Sequence, residues 1–179
     1  DCARQFGVPF IIKPVFSFFS KGIELINNER EFEFYTYKLS GKCIYQKIVG
    51  SNETEFTVSV FGNGEGDILD FTILNRTLSR KGSTNKAILL EDDDILVYIK
   101  KLCGILKPAG PLNIQLRKEG SKVYLLEINP RISSACSIRT LLGYNEPEMC
   151  VKYFLTKETI VPQPKVRAKV IRYISDYLY

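Results

Sequence analysis

The chain has 179 residues, of which 45% are apolar, 12% aromatic and 25% charged, a balance that fits one domain or a tightly joined pair of subdomains and excludes disordered, collagenous and coiled-coil classes. Lys and Arg number 25 against 20 Asp and Glu, and the resulting charge of +5 is scattered rather than clustered, which argues against nucleic acid as a partner. Apolar runs such as Phe10, Ile11 and Ile12 are cut by Lys or Pro long before a membrane span, and the absence of histidine excludes Ser-His and Cys-His nucleophiles, HExxH zinc sites and imidazole bases.

Val8 to Pro14 reads as a first strand, followed by a loop with Phe16, Phe18 and Phe19 and a second strand at Ile23 to Ile26. Asn27 or Asn28 can cap a helix from Glu29 to about Lys38, and Cys43 to Val49 forms the next strand. Glu55 to Phe61 alternates in strand fashion, and the turn Asn63-Gly64-Glu65-Gly66 returns it antiparallel as Asp67 to Arg76. A polar segment, Ser79 to Lys86, precedes a short strand at Ala87 to Leu90. Asp92 to Asp94 then open a helix whose apolar positions Ile95, Leu96, Ile99, Leu102 and Leu106 recur at helical spacing, ending before Pro108. A hairpin (Leu112 to Arg117, Val123 to Asn129), two shorter helices around Ile138 and Val151, and a last strand at Val166 to Ile174 complete an α+β pattern with mainly antiparallel sheets.

Five cysteines (Cys2, Cys43, Cys103, Cys136, Cys150) form no CxxC pair and read as reduced thiols, mostly buried, in a cytoplasmic protein. The start, DCARQFGVPF, has no initiator Met or signal segment and reads like a helix end entering a strand, as if cut from a longer chain.

The segments NIQLR (Asn113 to Arg117) and YLLEINPR (Tyr124 to Arg131) carry the chemistry. Alternation along a strand puts Glu127 and Asn129 on one face, where a carboxylate and an amide oxygen can share a hard cation. Gln115, on the partner strand, joins them if the loop near Gly120 has an odd number of residues or if a bulge supplies the offset. Three oxygen donors with positions left for water and phosphate suit Mg²⁺ carried by a nucleotide. The competing account is a hairpin whose polar face merely meets solvent. The acids Glu91 to Asp94 are explained by helix capping and the helix dipole, and Cys136 by packing at a helix start.

With FGVPFIIKP (Phe6 to Pro14), SKGIELI (Ser20 to Ile26), QKIVGSNETEFTVSVF (Gln46 to Phe61) and the stretch from Asn113 to Asn145 in register, the chain resembles the ATP-grasp superfamily, most closely the carbamoyl-phosphate synthetase large-chain type. That resemblance implies two α+β subdomains, residues 1–49 and 50–179, clasping ATP, with Mg²⁺ or Mn²⁺, and an upstream Rossmann-like domain. It implies a ligase that phosphorylates a small carboxylate and lets an amine displace the phosphate, with no nucleic-acid or membrane partner; a homodimer is compatible with it. Lys13 matches the basic contact to ATP phosphates, Ser20, Lys21 and Gly22 the phosphate-covering loop, and Gln46, Lys47, Ile48 and Val49 the adenine-edge strand. Glu55 matches the ribose-binding carboxylate, with Glu53 a near rival. Gln115, Glu127 and Asn129 match the metal ligands, and Arg131 meets the transferred phosphoryl group. The chain departs from the family at Phe18 and Phe19, where small residues are expected, and at Lys47, where relatives often have an acid. Both departures also fit a nucleotide-binding domain without catalysis, and a start without the expected upstream domain also fits a binding or interaction module on the same scaffold. Arg80, Lys81 and Lys86 lie where relatives place a further phosphate-gripping base, in a pattern too loose to assign one.

Overall fold

The structure is a computed structural model of the chain and describes residues 7–17, 21–79, 83–173 and 178. Cys2, Phe18, Phe19, Ser20, Arg80, Lys81 and Ile174 lie outside the described residues. The chain divides after Val49 into two compact units.

In the first unit, β1 (Phe10–Pro14) is the centre of a three-stranded antiparallel sheet among the described residues, flanked by β2 (Glu24–Ile26) and β3 (Cys43–Lys47). Ile48 and Val49, expected in the third strand, lie past its end. Helix α1 (Glu29–Lys38) starts where the sequence predicts, because Asn28 accepts a hydrogen bond from the Glu31 amide at 3.0 Å while Glu31 accepts one from the Asn27 amide at 2.8 Å. Phe32, Tyr35 and Leu39 pack on Phe10, Ile12 and Ile26, which fill one face of the sheet. The register pairs Ile11 with Leu25 and Gln46, and Lys13 with Ile44, so these five side chains share the face without the helix.

The second unit is built on a six-stranded antiparallel sheet among the described residues, in the order β8, β7, β4, β5, β6, β9. Its strands are β4 (Glu55–Asn63), β5 (Ile68–Leu78), β6 (Thr84–Leu90), β7 (Ala109–Glu119), β8 (Lys122–Asn129) and β9 (Lys169–Ile171). The β4–β5 turn forms as expected, with Asn63 Oδ1 accepting from the amides of Glu65, Gly66 and Asp67. Alternation along β4 decides both faces. Phe56, Val58 and Val60 point to the main core, where Ile73, Ile114 and Leu116 meet Ile95, Ile99 and Cys103 of α2 (Asp93–Leu106). Glu55, Thr57 and Ser59 point the other way, to a polar face partly covered by α3 (Cys136–Leu141) and α4 (Glu146–Cys150), which runs on into a wide turn of π type over Val151–Thr156. Among the described residues, no helix is long and apolar enough to cross a membrane.

Several strands run longer than their composition predicts. β7 begins at Ala109, through Gly110 and Pro111, because β4 continues to Asn63 and pairs with it there. That pairing needs Gly62, where a Cβ would sit 2.2 Å from the Pro108 carbonyl oxygen. Gly62→Ala is therefore expected to cost about 1–3 kcal/mol through overpacking against backbone, read as a lower denaturation midpoint. Among the described residues the last strand is shorter than predicted, with Lys169–Ile171 paired on β6. The cysteines are also a correction: of the four described, Cys103 is buried on the inner face of α2, while Cys43, Cys136 and Cys150 are partly exposed. A thiol needs little area to sit at the edge of a small helix or sheet. All four are free.

Candidate active site

The polar face of the larger sheet gathers the sequence's metal candidates by one local irregularity. The β7–β8 loop is even, with Glu119 opposite Lys122, and an unbroken ladder would set Gln115 against Leu126. A shift between Gln115 and Leu116 leaves Leu126 unpaired in a bulge. Beyond it Gln115 stands opposite Glu127, and Asn113 opposite Asn129. Of the two routes the sequence left open, the bulge is the one taken.

Glu127 is exposed, and no hydrogen bond or ion pair engages its carboxylate among the described residues. Asn129 ends β8, and its Nδ2 is buried without a hydrogen-bond partner. Asn113, which sequence reasoning passed over, donates to Thr57 Oγ1 at 2.7 Å and the Val58 carbonyl at 3.2 Å, tying β7 across to β4. The described residues contain no cluster of three His, Cys, Asp or Glu side chains able to hold a metal. A cation here would rest on one carboxylate and two amide oxygens, the hard donors Mg²⁺ accepts while keeping several waters. The orphaned amide nitrogen of Asn129 fits a side chain whose oxygen is the end left for the site. The residues present fit the ion.

Glu55, at the start of β4, is not the solvated carboxylate that its strand-edge position suggests. Its side chain is 9% exposed and held from both sides: Arg76 Nη2 donates to Oε1 at 2.9 Å, while Arg117 donates to Oε2 from Nε at 3.2 Å and Nη2 at 3.0 Å. The same Arg76 nitrogen donates to Gln115 Oε1 at 2.9 Å. Glu53, the rival, offers its backbone carbonyl to Asn75 Nδ2 at 2.8 Å. Arg76 and Arg117 escaped the sequence reading, although both are polar positions in alternating strands and Arg117 closes the NIQLR segment.

Arg131 is exposed just past β8, its amide bonded to the Asn129 carbonyl at 2.8 Å and its Nη1 to the Ile132 carbonyl at 3.3 Å. Beneath this loop lies a fully buried ion pair, Arg139 with Glu146 at 3.4 Å, both side chains 0% exposed. Arg139 Nη1 also donates to Ser133 Oγ at 2.6 Å and Nη2 to Thr57 Oγ1 at 3.1 Å, and Ser59 Oγ donates to Glu146. Burial lowers the guanidinium's pKa from its ordinary range, with Glu146 opposing the shift. Burial raises the Tyr144 hydroxyl well above its usual value, with Glu146 adding to it.

The acids at the start of α2 serve the fold. Asp92 caps the helix through the Ile95 amide at 2.9 Å and, with Asp94, grips Lys118 at 2.6 and 2.9 Å. Burial works against the lysine's charge, yet its bonds to Asp92 and Asp94 raise its pKa above the usual value. Cys136 heads α3, and burial, with the Glu146 charge, pushes its thiol up, away from nucleophilic use.

In the smaller unit, Lys13 is half-buried on the face without the helix, and Gln46 shares that face. Lys47 pairs across from Phe10 at the end of β3 and is exposed. Ser17 Oγ donates to the Lys21 carbonyl at 2.5 Å, and Gly22 adopts φ +74° against the ring of Pro14, where a Cβ would meet Cγ at 2.9 Å. Ser20 lies outside the described residues, and Lys86 sits in β6 opposite Ile171.

The model of a family described as "ATP-grasp in the biosynthetic pathway with Ter operon" matches residues 52–176. The chain belongs to the ATP-grasp family. It is 30% identical over 146 residues to the carbamoyl phosphate synthase large chain of Clostridium perfringens, covering 73% of this chain and 13% of that protein. To the large chain of Methanosarcina barkeri it is 24% identical over 183 residues, covering 96% of this chain and 42% of that one. The biotin carboxylase domain dimer of 2-oxoglutarate carboxylase from Hydrogenobacter thermophilus, solved with MgADP, ADP and bicarbonate, has the same fold. Its TM-score is 0.72 at 15% identity, over 92% of this chain and 40% of that one. This ATP-grasp chain thus spans between about an eighth and two fifths of these curated relatives.

Proposed function

We propose that this ATP-grasp chain is the ATP- and Mg²⁺-dependent catalytic region of a carboxylate–amine ligase, of the carbamoyl-phosphate synthetase kind, acting in the cytoplasm. The observation that carries the reading is the Leu126 bulge, which sets Gln115 beside Glu127 and Asn113 beside Asn129 on the sheet face that also bears Glu55. β8 is an edge strand, where bulges are common, and the support for the reading is the set of polar side chains that this bulge brings to one face. Gln115, Glu127 and Asn129 would hold Mg²⁺, or Mn²⁺ in its place, which when bound neutralises phosphate charge. Residues 50–179 are the metal and phosphate side, and residues 1–49 the nucleotide-lid side.

Lys13 meets the phosphates, joined by the backbone of Ser20 to Gly22. The strand-end segment Gln46 to Val49 offers backbone groups to the adenine edge, and Glu55 accepts from the ribose. Arg131 meets the phosphoryl group in transfer. A carboxylate oxygen of the substrate attacks the γ-phosphorus, and the bond to the ADP oxygen breaks. The amine nitrogen then attacks the acyl carbon, phosphate leaves, and the nitrogen's proton passes to solvent. Phosphoryl transfer asks mainly for positioning and electrostatic stabilisation, which suits a site rich in Lys, Arg and amides and without histidine.

Calorimetry on the intact protein with Mg²⁺ and ATP, ADP or GTP tests the reading. ATP and ADP are expected to bind at least tenfold more tightly than GTP. Equal affinities would remove the adenine assignment, and no binding at all would remove the function.

A further inference from the structure

Arg76 has more contacts than the fold requires of it. Its side chain is 10% exposed, its Nη2 donates to both Glu55 Oε1 and Gln115 Oε1 at 2.9 Å, and its Nε is buried without a partner. Leaving a buried donor unmade is costly, so the position of this guanidinium calls for a reason. Neutralising Glu55 is not sufficient, because Arg117 already holds Oε2 with two nitrogens. What distinguishes Arg76 is its second acceptor.

Gln115 has an amide, with an oxygen at one end and an N–H₂ group at the other, and only the oxygen can face a cation. A donor fixed on Oε1 decides which end is held there, and the oxygen keeps a second lone pair for a metal. Glu55, bonded to the same Arg76 nitrogen and also to Arg117, offsets part of the guanidinium charge, so an ion at Gln115 meets less than a bare cation. We infer that Arg76 is a positioning residue that sets the Gln115 amide for Mg²⁺ and so ties the protein's nucleotide affinity to the metal. The inference rests on the ligase reading above and adds a residue to it.

The test is the gain in ATP affinity on adding Mg²⁺, measured by calorimetry on the intact protein as the ratio of the dissociation constants for ATP in EDTA and for MgATP. Arg76→Lys keeps a cation against Glu55 but ends in a shorter, flexible stem with no planar guanidinium to fix one nitrogen against both acceptors. Gln115→Met keeps the bulk, deletes the amide and leaves the Arg76–Glu55 pair in place. Arg76→Lys is expected to shrink the gain about 10- to 100-fold, the usual effect of losing an outer partner of a metal ligand, and Gln115→Met, which removes the ligand itself, by at least as much. The double variant should lose no more than Gln115→Met alone, because both act through one oxygen. Should Arg76→Lys fail to fold, the charge-neutral combination Arg76→Met with Glu55→Gln carries the same test. Any loss of ribose contact then weakens both affinities alike and cancels in the ratio. An undiminished gain in the Arg76 variants, or single effects that multiply in the double, overturns the inference while leaving the ligase reading in place. A wild-type protein that binds no nucleotide overturns both.

Discussion

Replacing Glu127 with Gln is expected to leave the protein folded and to reduce Mg²⁺-dependent phosphate release from ATP at least about a hundredfold. Of the three proposed metal ligands, Glu127 alone carries a formal charge, and no arginine or lysine is paired with it among the described residues. Glu55 shows the contrast: its carboxylate is buried between two arginines that offset its charge. Gln matches Glu in size and keeps one oxygen, so the substitution deletes charge and little else. As an exposed strand residue it should change stability by no more than about 0.5 kcal/mol. Glu65→Gln, at an exposed glutamate in the β4–β5 turn, is the control and should alter neither quantity. Thermal melting and phosphate release on the intact protein read both. A folded Glu127→Gln protein with undiminished release would end the metal assignment.

What the sequence made legible follows the range of the interactions involved. The start of helix α1 was readable, with the cap left between Asn27 and Asn28, because the cap is local: Asn27, Asn28 and Glu31 satisfy one another within four positions. The β4–β5 turn was readable because Asn63 organises it alone. The metal face was half readable. Alternation gave Glu127 and Asn129, but whether Gln115 joined them depended on a bulge at Leu126 that no residue type announces. The start of β7 read as loop because Gly110 and Pro111 are poor strand formers, and its pairing with β4, some fifty positions away, overrides that preference. The tie of Arg139 to Thr57 spans 82 positions and that of Glu146 to Ser59 spans 87, so nothing local in the sequence marked either charge as buried.

That buried pair supports the second large effect. Arg139→Met is expected to destabilise the protein by about 3–5 kcal/mol, because it strands the Glu146 carboxylate in an interior where neither side chain reaches water. It also takes the donor from Ser133, in the loop after Arg131, and from Thr57, which holds Asn113 of the metal-bearing hairpin. Stability and positioning can be separated by removing both charges. Arg139→Met with Glu146→Leu exchanges the pair for apolar bulk, a change that often restores stability, so chemical denaturation should return most of the loss. Phosphate release should stay low in the double variant, since Ser133 and Thr57 still lack the guanidinium that joins the Arg131 loop to β4. Full recovery of both would make the pair a packing element only. Recovery of stability without activity would establish that the charges are kept in the core to hold the loop and hairpin in one geometry.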